Sequence, residues 1–190
     1  MKKLRQEINM KRKFGLRKIN MFVSHFMLIM FLLHAVFGSL QMFGVNISGT
    51  SVLGWITMGF VGVHVIIGTI LTVTTLYACH KAGVSYFRGN GLFWARRISG
   101  YLMIVLIVFH ILAFRSVDQR LPEFTVFRLI VMITLVIVLA LHIIMNVKPL
   151  LIAFGIKELK PYAADIYVII MIILSIATVA FIVYFIRWNS

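Results

Sequence analysis

The chain has 190 residues, 62% of them hydrophobic and 13% charged, with nineteen Lys and Arg against five Asp and Glu for a net charge of +14. Apolar content of that order excludes a water-soluble globule and points to an integral membrane protein. The same charge on a soluble chain would raise nucleic acid as a partner, but here the basic residues cluster between long apolar runs, which is the pattern of a membrane topology signal.

In chain order, residues 1–18 carry Lys2, Lys3, Arg5, Lys11, Arg12, Lys13, Arg17 and Lys18. This segment reads as a topogenic tail facing lipid, with docking of a soluble partner as the alternative. The first apolar run, Ile19 to Leu40, follows it as a signal peptide would, yet the run is too long and no small-residue cleavage pattern follows, so it is expected to be retained. The connection Gln41 to Ser51 has no charge, and its Asn46-Ile47-Ser48 matches a glycosylation sequon, a pattern common by chance. The second run, Val52 to Cys79, is long enough to tilt or project. Cys79 is the only cysteine, which rules out an internal disulfide and reads as a small buried apolar residue.

The second connection holds Lys81, Arg88, Arg96 and Arg97. The third run, Ile98 to Phe114, is the shortest, and crossing a ~30 Å core at ~1.5 Å per residue predicts an extension into Arg115 and beyond. The fourth run is Phe124 to Val147. After Pro149 comes a patch, Leu150 to Ile156, too short to span and expected as an interfacial helix or packed loop. The fifth run is Ile166 to Ile186. The expected fold is therefore one all-α membrane domain over residues 1–190, a bundle of five transmembrane helices at about 19–40, 52–79, 98–114, 124–147 and 166–186. Fifteen basic residues lie before the first run and in the second and fourth connections, against four on the other side, which predicts a cytoplasmic N-terminus and an outside C-terminus.

Each of the first four runs contains one deep histidine: His34, His64, His110 and His142. An ionisable group in hydrocarbon is costly and normally faces a bundle interior or cavity, so each is a candidate site residue. Four such residues on four helices point to a buried cofactor, and imidazole points above all to heme iron. Two facing histidines would complete both axial positions of a low-spin heme suited to electron transfer, and four permit two such hemes. With no C-x-x-C-H motif, the expected cofactor is non-covalent heme b. Gly38 and Gly68 each stand four residues after a histidine, on the same helical face, where a missing side chain lets a flat macrocycle approach; helix packing is the alternative use. Asn146 and Phe114 hold the corresponding places after His142 and His110.

His25 and His80 lie near flanking lysines and read as interfacial, with heme-propionate contact as the other use. Arg96 and Arg97 read as a topogenic pair or as a propionate clamp, and Arg97 is the candidate contact. Depth, counted from the flanking charges, puts His34 about 24 Å and His110 about 20 Å from the cytoplasmic side. On the same arithmetic His142 lies about 9 Å deep and His64 about 26 Å, so pairing those two needs a tilted or projecting second helix, and a His25–His142 pair stays open.

Ser85-Tyr-Phe-Arg88, then Arg96-Arg-Ile-Ser-Gly100, then His110 ten residues after that glycine, resembles the diheme cytochrome b membrane-anchor subunit of succinate dehydrogenases and fumarate reductases, in its five-helix single-chain form. The lead-in from Arg17 to His34, His64-x-x-x-Gly68, and His142 followed by Gly155-Ile156 match in order, and the likeness covers nearly all of residues 15–187. The resemblance implies that His34 and His110 ligate the outer heme and His64 and His142 the inner one. It also implies a flavoprotein subunit with FAD and an iron–sulfur subunit on the cytoplasmic face, a location in the cytoplasmic membrane, and a quinone, expected as menaquinone, as electron-transfer substrate. The chain itself then performs no dicarboxylate chemistry. No Asp or Glu lies inside any of the five runs, so the carboxylates that carry protons in some members have no counterpart and the quinone site is unassigned.

Two other classes compete. A cytochrome b of a hydrogenase or formate dehydrogenase typically places two ligands on one helix, whereas the deep histidines here come one per run. A small transporter or membrane assembly protein would use them in a polar pathway and bind no heme.

Overall fold

The computed structural model describes residues 2–84, 90–115, 122–153, 155 and 160–187, with side chains described for 15–84, 90–114, 126–153, 155 and 164–187. Its elements are α1 (Lys2–Met42), α2 (Thr50–Lys81), α3 (Gly91–Arg115), α4 (Pro122–Ala153) and α5 (Lys160–Arg187). All five helices are long and apolar enough to cross a membrane, over Gly15–Met42, Thr50–Lys81, Gly91–Phe114, Val126–Ala153 and Ala164–Arg187. The protein is thus an all-α, multi-pass membrane protein, as the run lengths predict. Helices of this kind satisfy their backbone groups within the segment while facing lipid.

Boundaries differ from the sequence expectation in three places. The short third run is completed mainly at its start, from Gly91, because the amphiphilic stretch before Ile98 continues the helix through Arg96 and Arg97. The patch after Pro149 is no separate interfacial element as far as Ala153: Pro149 sits inside α4, and Leu150 to Ala153 continue the same helix. The remainder of the patch lies outside the described residues apart from Gly155. Finally, α5 starts early enough for its span to include Asp165, an exposed carboxylate at the end of that span.

The packing is that of two hairpins and a brace. α1 packs on α2, α3 packs on α4, and α5 lies against both α1 and α4, which also touch one another. α2 and α3 share little backbone packing, although they are neighbours in sequence, and meet where Thr69 Oγ1 and Tyr101 OH lie 3.0 Å apart. The α1–α2 turn is tight because Gly44 (φ 98°) and Gly49 (φ 86°) take left-handed conformations that a Cβ would oppose. Val45 N–H then donates back to the Leu40 carbonyl at the end of α1.

The densest core lies where α3, α4 and α5 meet, with Leu106, Val131, Met132, Val138, Phe181 and Phe185 buried together. A second core of Ile143, Val147, Ile170 and Leu174 binds α4 to α5 and draws in Leu28, Phe31 and Leu32 of α1. The apolar residues left exposed, such as Ile66, Val105 and Ile172, stand where lipid supplies the contact. Hydroxyls within the helices bond back to the preceding turn, as Thr57 does to Leu53 and Thr72 to Gly68, so no polar group is left stranded in hydrocarbon at those sites.

Candidate functional site

Because α2 and α3 share little backbone packing, a cavity lies between helices α1 to α4, closed on one side by Leu174, Ala177 and Phe181 of α5. It measures about 590 Å³ as the space open to the centre of a water molecule. All four deep histidines line it, one from each of α1, α2, α3 and α4, together with Arg96 and Arg97. Cofactor sites commonly have this size, with apolar walls and few polar groups.

The histidines fall into two pairs. His34 and His110 face each other with ring centroids 6.4 Å apart and planes at 80°. Metal–imidazole bonds of about 2.0 Å on either side of one ion would set two ring centroids about 6 Å apart, so this spacing suits a single bridging ion. The other pair is His64 and His142, which lie within electrostatic range of each other, as His34 and His110 do. His25 is exposed and is not among the residues lining the cavity. Among the described residues no three His, Cys, Asp or Glu side chains converge.

The two pairs sit at two levels. Ser24 and Ser99 approach His64 and His142, ten and eleven residues before His34 and His110 on α1 and α3, which separates the levels by about 15 Å of helix rise. The α2 helix has 32 residues and so exceeds a bilayer crossing, which explains how His64 reaches His142 although it lies far from Lys81 in sequence.

Each ring has its own setting. At the level nearer the α1 N-terminus, His64 Nδ1 lies 3.0 Å from Ser24 Oγ and His142 Nδ1 lies 2.9 Å from Ser99 Oγ. Arg97 is within electrostatic range of both rings, and its guanidinium stands over the face of Phe93 at 5.1 Å. Arg96, also within electrostatic range of His142, donates from Nε to the Met145 carbonyl at 2.9 Å. At the other level, His110 Nδ1 meets the Met132 thioether at 3.2 Å, while Phe114 and Phe181 close over the ring at 5.0 and 6.3 Å. His34 Nδ1 is buried without a hydrogen bond, its ring beside the Thr50 backbone.

Glycines clear the space. A Cβ on Gly38 would meet nothing within 4 Å, so this glycine does not serve close helix packing; it opens the α1 wall onto the cavity. Gly68 lines the cavity as well, and a Cβ added there would stand 3.8 Å from the Arg97 guanidinium. Sequence reasoning missed Gly54 and took Gly100 only as part of a motif; an added Cβ would stand 3.1 Å from His34 Cε1 at the first and 3.4 Å from His142 Cε1 at the second. It also missed Ser24 and Met132, which carry no motif, and took Ser99 only as one letter of Arg-Ile-Ser-Gly. The Ser85 to Arg88 part of the resemblance lies outside the described residues. The chain matches no family model, no curated protein and no solved structure.

Proposed function

We propose that the chain is the membrane-anchor cytochrome b subunit of a succinate:quinone oxidoreductase of the succinate dehydrogenase and fumarate reductase type. The observation that carries this reading is the convergence of His34, His64, His110 and His142, from four different helices, on one cavity, with His34 opposite His110 and His64 within electrostatic range of His142. A polar transport pathway would string such residues along a route, and it would not need two opposed rings at the span of one metal ion.

Two b hemes supply one-electron carriers with both axial positions filled. The protein's part is to hold them: His34 with His110, His64 with His142, Arg97 as the cation beside the inner pair, and Gly38 and Gly68 as the open faces of the wall. Phe114 and Phe181 exclude water around His110. Orientation follows from fifteen basic residues against four, which put the N-terminus and the inner pair at the cytoplasmic side. A flavoprotein with FAD and an iron–sulfur subunit dock there, and electrons exchange with menaquinone in the cytoplasmic membrane. The chain lends no group to the dicarboxylate reaction itself.

The test is a pyridine hemochrome assay against protein mass on the purified full-length chain, expected to give two hemes b per chain with low-spin spectra. A folded preparation without heme defeats the reading and leaves the transporter alternative.

A further inference from the structure

We propose that Ser24 and Ser99 are a matched pair of positioning residues that fix the tautomer and ring plane of His64 and His142, so that each presents Nε2 to the cavity. This rests on the heme reading above. A serine hydroxyl has one proton to give. Ser24 gives it to the Asn20 carbonyl at 2.7 Å, and Ser99 gives it to the Arg96 carbonyl at 3.2 Å. With the hydroxyl protons so placed, both oxygens accept from the imidazoles, at 3.0 and 2.9 Å. That arrangement puts the ring proton on Nδ1 of both histidines and the lone pair on Nε2.

Back-bonded hydroxyls are common in this chain, as at Ser39 and Thr75, but those do not face an imidazole. Ser24 and Ser99 also occupy equivalent places. Each stands on the first helix of a hairpin and holds the histidine of the second, α1 to α2 and α3 to α4. The outer pair is held differently: His110 Nδ1 meets a thioether, a weak acceptor, and His34 has the Thr50 backbone as its hydrogen-bond partner while its Nδ1 makes no hydrogen bond. An acceptor on the far nitrogen orients a metal-bound histidine and raises its basicity. The inner pair is thus preset for iron by hydroxyls, a device the outer pair does not share.

The experiment compares Ser24→Ala, Ser99→Ala, Ser24→Thr and Ser99→Thr in the full chain, reading heme content, the low-spin EPR signals of the oxidised protein and the potential of each heme. The alanine variants should hold the inner heme about 10- to 100-fold more weakly, the usual cost of losing such a partner. They should shift its EPR signal and raise its potential, since a less basic ligand stabilises ferric iron less. The outer heme should be unchanged, and threonine, which keeps the hydroxyl, should restore the wild-type values. Alanine variants with wild-type inner-heme signals, a shift confined to the outer heme, or threonine variants as impaired as alanine would overturn the proposal. A wild-type chain that binds no heme overturns the functional reading, and this one with it; a diheme wild type with silent alanine variants overturns the positioning role alone.

Discussion

Arg96 of α3 donates to the carbonyl of Met145 of α4, the carbonyl that Pro149, four residues further on and without an N–H, leaves unserved. This explains how proline is accommodated within a helix that continues to Ala153. It also ties α3 to α4 three residues from His142, and the Arg96 carbonyl in turn accepts from Ser99. Arg96→Met should therefore destabilise the protein by about 1–3 kcal/mol, the cost of an unsatisfied buried carbonyl. Pro149→Ala should recover part of that loss by returning the helical N–H. A double-mutant cycle on thermal unfolding in detergent measures the coupling, and additive effects would refute the link.

Removal of either ligand of a pair should abolish the same heme. His64→Ala and His142→Ala should each leave one heme per chain with the outer heme's spectrum, and His34→Ala and His110→Ala the inner heme's. His25→Ala should keep both, because that side chain is exposed and outside the cavity wall. Heme stoichiometry with EPR of each variant decides the pairing.

Arg97→Gln should lower the potential of the inner heme and leave the outer one in place. The guanidinium lies within electrostatic range of His64 and His142 but is not among the charges acting on His34 or His110. A fixed positive charge in a medium of low dielectric favours the reduced, less positive iron, so its loss favours the oxidised form. Redox titration followed optically gives both potentials.

Three glycines should answer differently to added bulk. Gly54→Ala places a methyl 3.1 Å from the His34 ring and should disturb the outer heme's EPR signal, whereas Gly100→Ala makes an ordinary contact at 3.4 Å with His142 and should be tolerated. Gly38→Leu puts a branched side chain into the cavity and should reduce heme occupancy without harming the fold. Heme-to-protein ratios, with circular dichroism as the control for folding, distinguish the three.

The helices and the deep histidines were legible because both depend on local sequence: run length measures a bilayer, and an imidazole within such a run has few structural uses. The positions that support them were not. Ser24 bonds back to Asn20 just as Ser39 does to Ala35, and nothing in the sequence reveals that only the first also meets a histidine forty residues away. Gly54 belongs to His34 across a helix pair, while the glycine spaced to attract notice, Gly38, faces open space. Pro149 suggested an end to α4 because its remedy, Arg96, comes from another helix.

The two hairpins meet through α1, α4 and the α5 brace, while α2 and α3 are joined by Thr69 and Tyr101. Each histidine pair takes one ring from the α1–α2 hairpin and one from the α3–α4 hairpin, so on the heme reading iron bonded to both rings would rivet the two halves across this thin seam. Biogenesis would then have a natural order, with hairpins inserted first and the seam closed by the cofactor. A cell starved of iron would accumulate half-open chains within reach of membrane proteases, and the abundance of the subunit would track heme supply even with its transcription unchanged.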